Sequence, residues 1–352
     1  MVTANMANIR ISPISFVLIF LLAGAVILYV ERSWHSDKGD QLIVDSSTKI
    51  DLKALLSAGI GAAERGGVEV KKVHDEHQLN AKSKGETREG ANNPVTDGDM
   101  RSHKAIVHGL KKTFPSLKVV SEEHETDDWD KSAVVPLSIS QSDVIELIKG
   151  DQSIPLEDVT VWVDPLDATQ EYTDDLLHYV TTMVCVAVRG VPTIGIIHKP
   201  FMEAPNTVWA FVGQGHSPNL KLPVKKADLS TSPKIIVSRS HQGEVEAVAK
   251  TSFGKDTEVI PAGGAGYKVW SLFEGKADAY IHTTLIKKWD ICAGNALLNE
   301  FKGKMTTLKG KDIDYSWSVE KPDPKNEGGL LASLWEHKMF LDKLAPVVDK
   351  KQ

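Results

Sequence analysis

Residues 159–172, VTVWVDPLDATQEY, drive an apolar strand directly into two aspartates three positions apart. A lone Asp–Pro step would be an ordinary turn former. Asp164 and Asp167 together, with the Thr169 hydroxyl and the start of a helix behind them, put several oxygen donors at the mouth of one strand. Hard cations are held by such oxygens. Any fold for this chain has to bury the apolar run and still leave its acidic end open to an ion.

At 352 residues the chain is long enough for one large domain or two fused lobes around a sizeable core. Its net charge of −6 argues against a partner that is a nucleic acid polymer, which calls for a basic face. Cys185 and Cys292 are the two cysteines, so neither a disulfide framework nor a Cys-rich zinc site is available. Both lie in apolar runs, and buried free thiols are expected rather than a mutual disulfide.

Residues 11–30, ISPISFVLIFLLAGAVILYV, carry no charged side chain. As a helix rising about 1.5 Å per residue, that run reaches roughly 30 Å, the thickness of a bilayer core. AGA at 23–25 resembles a signal-peptide cleavage site, but VILYV continues the apolar run past it, which favours an uncleaved anchor. Arg10 flanks one side and Arg32, Lys38 and Lys49 the other, so the positive-inside rule does not fix orientation.

Residues 31–49 read as a polar stem. From Ile50 the apolar spacing is helical, with Ser47 or Thr48 as candidate caps. The segment NAKSKGETREGANNPVT reads as a turn-rich connector, and residues 124–157 as an acidic, polar excursion with the character of a functional flap. TTMVCVAVRGVPTIGIIHKPF reads as a hairpin turning at Arg189–Gly190. Beyond about residue 225, strands and helices alternate. The expected organisation is an α+β lobe over 50–225 and an α/β lobe over 226–345, with a cleft between them.

Carboxylates recur where elements end: Asp99 in VTDGD, Glu122 and Glu123 in VSEEH, Asp164 and Asp167 in DPLD, and Asp290 in KKWDICAG. Any one of them alone reads as a cap or a surface acid. VTDGD, SEEH, WVDPLDATQEY, GGAGYK and KKWDICAG in this order and spacing resemble the lithium-sensitive, magnesium-dependent phosphatases of the inositol monophosphatase family. Within it, DATQEY, VSRSH and PAGGAGYK resemble the 3′(2′),5′-bisphosphate nucleotidase branch, in its anchored Golgi form. The resemblance covers about residues 50–345.

That resemblance implies a layered αβαβα sandwich, a homodimer, and two or three Mg²⁺ ions per site. It implies that Glu122, Asp164, Asp167, Asp290 and the Leu166 carbonyl bind metal, and that Asp99 and Thr169 activate the attacking water. Ser238, His241, Gly264 and Lys268 match positions that contact the nucleotide. Glu123 reads as a neighbour of the ligand pair, Asp97 as a turn residue, and Trp289 and Tyr267 as core. Ala168 departs from the family's common glycine. Two metals with an oriented water suit phosphate-ester hydrolysis, because they neutralise phosphoryl charge and lower the water's pKa.

The implied activity is hydrolysis of the 3′-phosphate of adenosine 3′,5′-bisphosphate to AMP, clearing a sulfotransferase by-product. The implied setting is the Golgi membrane, with residues 1–10 cytosolic and the catalytic mass lumenal. No N-glycosylation sequon occurs to support lumenal placement. Inositol monophosphate is the alternative substrate. A catalytically inactive nucleotide-binding scaffold is the third reading, but such a relative should have lost a ligand carboxylate, and none is missing.

Overall fold

The computed structural model describes residues 49–86, 90–125, 132–224, 233–239 and 244–348, and residues 48–352 form one compact unit. The anchor expected at 11–30 and the stem lie outside the described residues, as does His241. Among the described residues, no helix is long and apolar enough to cross a membrane.

Among the described residues, a short strand at Lys49–Asp51 precedes α1 (Leu52–Asp75) and α2 (Asp97–His103), and β1 (Val119–Ser121) and β2 (Val159–Asp167) come after them. The turn helix α3 (Thr169–Thr173) leads to β3 (Thr181–Val188), β4 (Val191–His198), β5 (Thr207–Phe211) and β6 (Gly215–His216). Then come β7 (Lys234–Ser238), α4 (Val245–Phe253), β8 (Glu258–Ala262), α5 (Ala265–Phe273) and β9 (Ala279–His282). The chain closes with α6 (Lys288–Glu300), β10 (Lys304–Thr306), β11 (Leu330–Ser333) and α7 (His337–Val348). One sheet has the order β6-β5-β4-β3-β2-β1, antiparallel except for β1 beside β2. The other has the order β8-β7-β9-β11-β10, parallel across β8, β7 and β9.

Alternation along β3 and β4 explains the layers. Side chains on a strand point to opposite faces in turn, and here both sets are apolar. Val184 and Ile196 meet α1 at Gly59, where a Cβ would come within 2.6 Å of Ile196. Met183, Cys185 and Ile197 face the other way, into a core shared with α5, α6 and the inner face of the second sheet. Ile235 and Val237 turn to the far side of that sheet, where α4 and α7 cover them. The result is α1, sheet, α5 with α6, sheet, α4 with α7, the expected αβαβα sandwich.

Several expectations need correction. Asp51, not Ser47 or Thr48, caps α1, its carboxylate accepting the Lys53 N–H at 2.8 Å. The connector after α1 is a hairpin of Lys82–Glu86 with Asn92–Val95. Residues 132–157 of the 124–157 excursion pack on α1 rather than over the main cleft: Leu137 and Ile148 are buried, Arg65 of α1 donates to the Val135 and Pro136 carbonyls, and none of these residues lines the cleft.

Cys185 and Cys292 are not free thiols but a disulfide. Packing of α6 on β3 brings their Cα atoms to 5.7 Å, within disulfide reach. The bond closes a sequence separation of 107 residues, a long loop in the unfolded chain. A Cys185→Ala/Cys292→Ala variant is expected to lose about 2–5 kcal/mol of stability in chemical denaturation. A loss under about 1 kcal/mol would show that helix–sheet packing alone sets this contact.

Candidate active site

Strand β2 ends in a bulge. Asp164 pairs with Met183 and Asp167 with Thr181, so three steps on β2 face two on β3. On a regular strand, residues three apart point to opposite faces. The irregularity at Pro165–Leu166 lets both carboxylates line one cleft of about 510 Å³. Asp164 Oδ1 accepts the Leu166 N–H at 3.2 Å, which folds the turn.

Asp290 enters from the first turn of α6, where its Oδ2 accepts the Lys287 N–H at 3.0 Å. Glu122 enters just past β1. Glu122, Asp164 and Asp290 each present an oxygen within 4.8 Å of the other two. Burial first, then mutual repulsion, holds the Asp164 and Asp290 carboxyls well above the usual carboxylate range. Converging hard oxygens whose charges repel are the donor set of a divalent cation. The site therefore fits the Mg²⁺ expected from sequence.

Asp167 stands apart from that trio. Its Oδ1 accepts the Ala265 N–H at 3.0 Å, and its Oδ2 accepts Gly266 N–H at 2.8 Å and the Thr181 hydroxyl at 3.0 Å. It thus caps α5, leaving about one of a carboxylate's four lone-pair sites for an ion. Gly264 adopts φ 62°, and a Cβ there would come within 2.8 Å of Asp167 Oδ2. The GGAG run therefore has to be glycine-rich for α5 to start against this carboxylate.

Asp99 and Thr169 meet as expected. Asp99 Oδ2 accepts from Thr96 N–H at 2.7 Å and from the Thr96 hydroxyl at 2.6 Å in a capping box, leaving Oδ1 3.0 Å from Thr169 Oγ1. Thr169 Oγ1 also lies 3.0 Å from the Leu166 carbonyl, and its single hydrogen serves one acceptor at a time. Burial pushes the Asp99 carboxyl up to about 7, with Glu122 and Glu123 adding to the rise against the Thr96 hydrogen bonds. Ala168 is left-handed at φ 73°, which is why glycine suits the position. Helix α3 is one short turn, so it contributes little dipole.

Ser238, Gly264 and Lys268 all line the cleft. Lys268 is buried, donates to the Ala262 carbonyl at 3.3 Å, and is lowered by burial to about 8, with Asp167, Glu171 and Asp290 opposing the fall. Trp289 is in the core and also forms cleft wall, whereas Tyr267 packs outside it. Asp97 accepts from Asn80 at 2.7 Å, a local contact. Lys84 had no sequence signal: its ammonium bridges Glu122 at 2.8 Å and Glu123 at 2.6 Å. Burial works against that ammonium, but the two glutamates outweigh it and raise its pKa. Nothing in the spacing of a hairpin lysine relates it to acids 38 residues on.

Residues 51–350 match the model of the inositol monophosphatase family. The chain is 46% identical to zebrafish (Danio rerio) inositol monophosphatase 3, over 98% of this chain and 99% of the relative. It is 44% identical to the mouse (Mus musculus) Golgi-resident adenosine 3′,5′-bisphosphate 3′-phosphatase, over 97% and 98%. Among solved structures, the inositol monophosphate-bound SaIMPase-II shares the fold with a TM-score of 0.60 at 17% identity, over 86% of this chain and 100% of that one. By that match and by the carboxylate site it carries, the chain belongs to the inositol monophosphatase family of phosphatases.

Proposed function

We propose that this chain hydrolyses the 3′-phosphate of adenosine 3′,5′-bisphosphate to AMP and phosphate. The observation that carries the reading is the mixed lining of the cleft. The carboxylates share it with Ser238, Gly264 and Lys268 and with the apolar side chains of Leu285, Ile286 and Trp289. A polyol ring has no use for such an apolar wall, whereas a nucleobase buries flat apolar area against one. The relatives named as bisphosphate phosphatases support the same substrate.

Glu122, Asp164, Asp290, the Leu166 carbonyl and the remaining oxygen capacity of Asp167 would hold two or three Mg²⁺ ions. When bound, they supply charge neutralisation and an acidified water. The protein's own part is orientation and proton uptake. Thr169 donates its hydrogen to Asp99 Oδ1 and so turns a lone pair outward to accept from the attacking water. Asp99, reached through that hydroxyl, takes the proton, and Lys268 lends positive charge to the phosphate-bearing ligand.

Asp99 accepts a proton only when ionised. Without metal its carboxyl is raised to about 7, so kcat/KM of the Mg²⁺-loaded enzyme is expected to fall about tenfold per pH unit below a limb lying under that value. Bound cations favour the ionised form and move the limb to lower pH. Activity that stays level down to about pH 4 would remove Asp99 from the proton path.

The second reading, inositol monophosphate as substrate, is favoured by the relatives called inositol monophosphatase 3. Phosphate release by the full chain in detergent, measured side by side on the two substrates, decides between them. Equal or faster turnover of inositol monophosphate would overturn the nucleotide assignment.

For location, the reading is a Golgi membrane protein anchored over 11–30, with its catalytic region lumenal. The relatives' names support the compartment, and the Cys185–Cys292 disulfide supports an oxidising side. Protease treatment of sealed microsomes should trim only a short tail. Complete digestion without detergent would put the catalytic region in the cytosol.

A further inference from the structure

At the edge of the cleft, two buried atoms make no hydrogen bond among the described residues: Oε1 of Glu171 and Nη1 of Arg239. They face each other across 3.7 Å, and the same Nη1 lies 3.8 Å from Asp174 Oδ2. These are ion-pair separations, longer than a hydrogen bond. Glu171 belongs to α3, two residues after Thr169, and is 2% exposed. Arg239 follows Ser238 at the end of β7, and its N–H donates to the Ala262 carbonyl at 3.1 Å, extending the β7–β8 ladder.

The Glu171 side chain also lies on Gly263. A Cβ there would come within 2.5 Å of Glu171 Cγ and 2.6 Å of Cδ, so the first glycine of GGAG leaves room for this carboxylate. One acidic side chain thus joins the catalytic turn of the first sheet to two strand ends of the second. A buried charge is kept only where its surroundings hold it; the Lys268 ammonium and the Arg239 guanidinium both favour the ionised carboxylate, and no role on the reacting atoms has been assigned to it.

We propose that Glu171 and Arg239 form an inter-sheet clamp, a positioning pair that registers the substrate-reading ends of β7 and β8 against the turn carrying Thr169. Ser238 and Lys268 then meet the far part of the substrate while its phosphate meets the carboxylates. The inference rests on the reading of the cleft as a nucleotide phosphatase site. Neither residue is placed on the reacting atoms. Breaking the clamp therefore costs substrate affinity and spares the chemical step.

The test is a mutant cycle on the full chain in detergent, with Mg²⁺ saturating. Arg239→Ala is expected to raise KM for adenosine 3′,5′-bisphosphate about tenfold while kcat stays within about threefold. Arg239→Lys should recover most of the loss, and Glu171→Gln, which keeps the shape but also removes a charge facing Lys268, should raise KM at least as much as Arg239→Ala. The double variant should be no worse than the larger single, because either change already breaks the unit. Independent, multiplying losses would overturn the clamp. So would an unchanged KM in Arg239→Ala beside an active wild type, which leaves the nucleotide assignment standing.

A wild type inactive on the nucleotide retires that assignment instead. The clamp is then read by amide hydrogen exchange, where either single change should speed exchange about tenfold at 236–239 and 262–268 and leave α1 unmoved. Unchanged exchange at those strand ends would overturn it.

Discussion

Asp290→Asn should abolish phosphate release and yet make the metal-free protein melt at a higher temperature. Asparagine keeps an oxygen to accept the Lys287 N–H, so the first turn of α6 stays capped. What disappears is one of three carboxylates gathered within 4.8 Å. Two unit charges about 5 Å apart repel by roughly 3 kcal/mol at an effective dielectric of about 20, and partial protonation leaves about 1–2 kcal/mol of that in the fold. The metal-free variant should therefore melt about 2–3 °C above the wild type. Added Mg²⁺ reverses the order, because it stabilises the protein that binds it and does little for one short of a charged ligand. Activity should fall by at least about a thousandfold. Turnover within about a hundredfold of wild type, or a variant less stable than wild type without Mg²⁺, would contradict the metal assignment.

Thr169→Ala should lower kcat by about a hundred- to a thousandfold without changing the Mg²⁺ response of the melting temperature. The methyl group is not the relevant part. The hydroxyl is the group that touches Asp99 Oδ1 at 3.0 Å and leaves a lone pair for water, while the Leu166 carbonyl remains in place. Thr169→Ser keeps the hydroxyl and should stay within about tenfold of wild type. Equal losses in the Ala and Ser variants would show that the side chain's packing matters and its hydrogen bond does not.

The parts legible in the sequence are those whose chemistry is local. Asp164, Leu166, Asp167 and Thr169 sit within six residues, and their strand and turn announce themselves through an apolar run ended by Asp and Pro. The hairpin at Arg189–Gly190 was equally plain, both residues being left-handed at φ 50° and 77°. What escaped depends on distant segments meeting. Two cysteines in apolar runs look alike whether free or bonded until α6 is laid on β3. Polar residues 124–157 look like a loop over a site until Arg65 is seen holding them to α1. Lys84 is one lysine among many until its hairpin folds over Glu122. The bulge at Pro165–Leu166 lies between. Its residues are visible, but its effect of turning both aspartates one way depends on how β3 pairs with β2.

Asp167 has a thermodynamic consequence. The amides that start α5 and the oxygens that would take up a cation draw on a single carboxylate. Shifting its electrons toward an ion weakens its hold on those amides, and a ligand that displaces α5 alters what the ion receives. Binding free energies linked in this way are reciprocal. Whatever factor the nucleotide imposes on Mg²⁺ affinity, Mg²⁺ must impose on the nucleotide. A dissociation constant for either is therefore defined only at a stated concentration of the other.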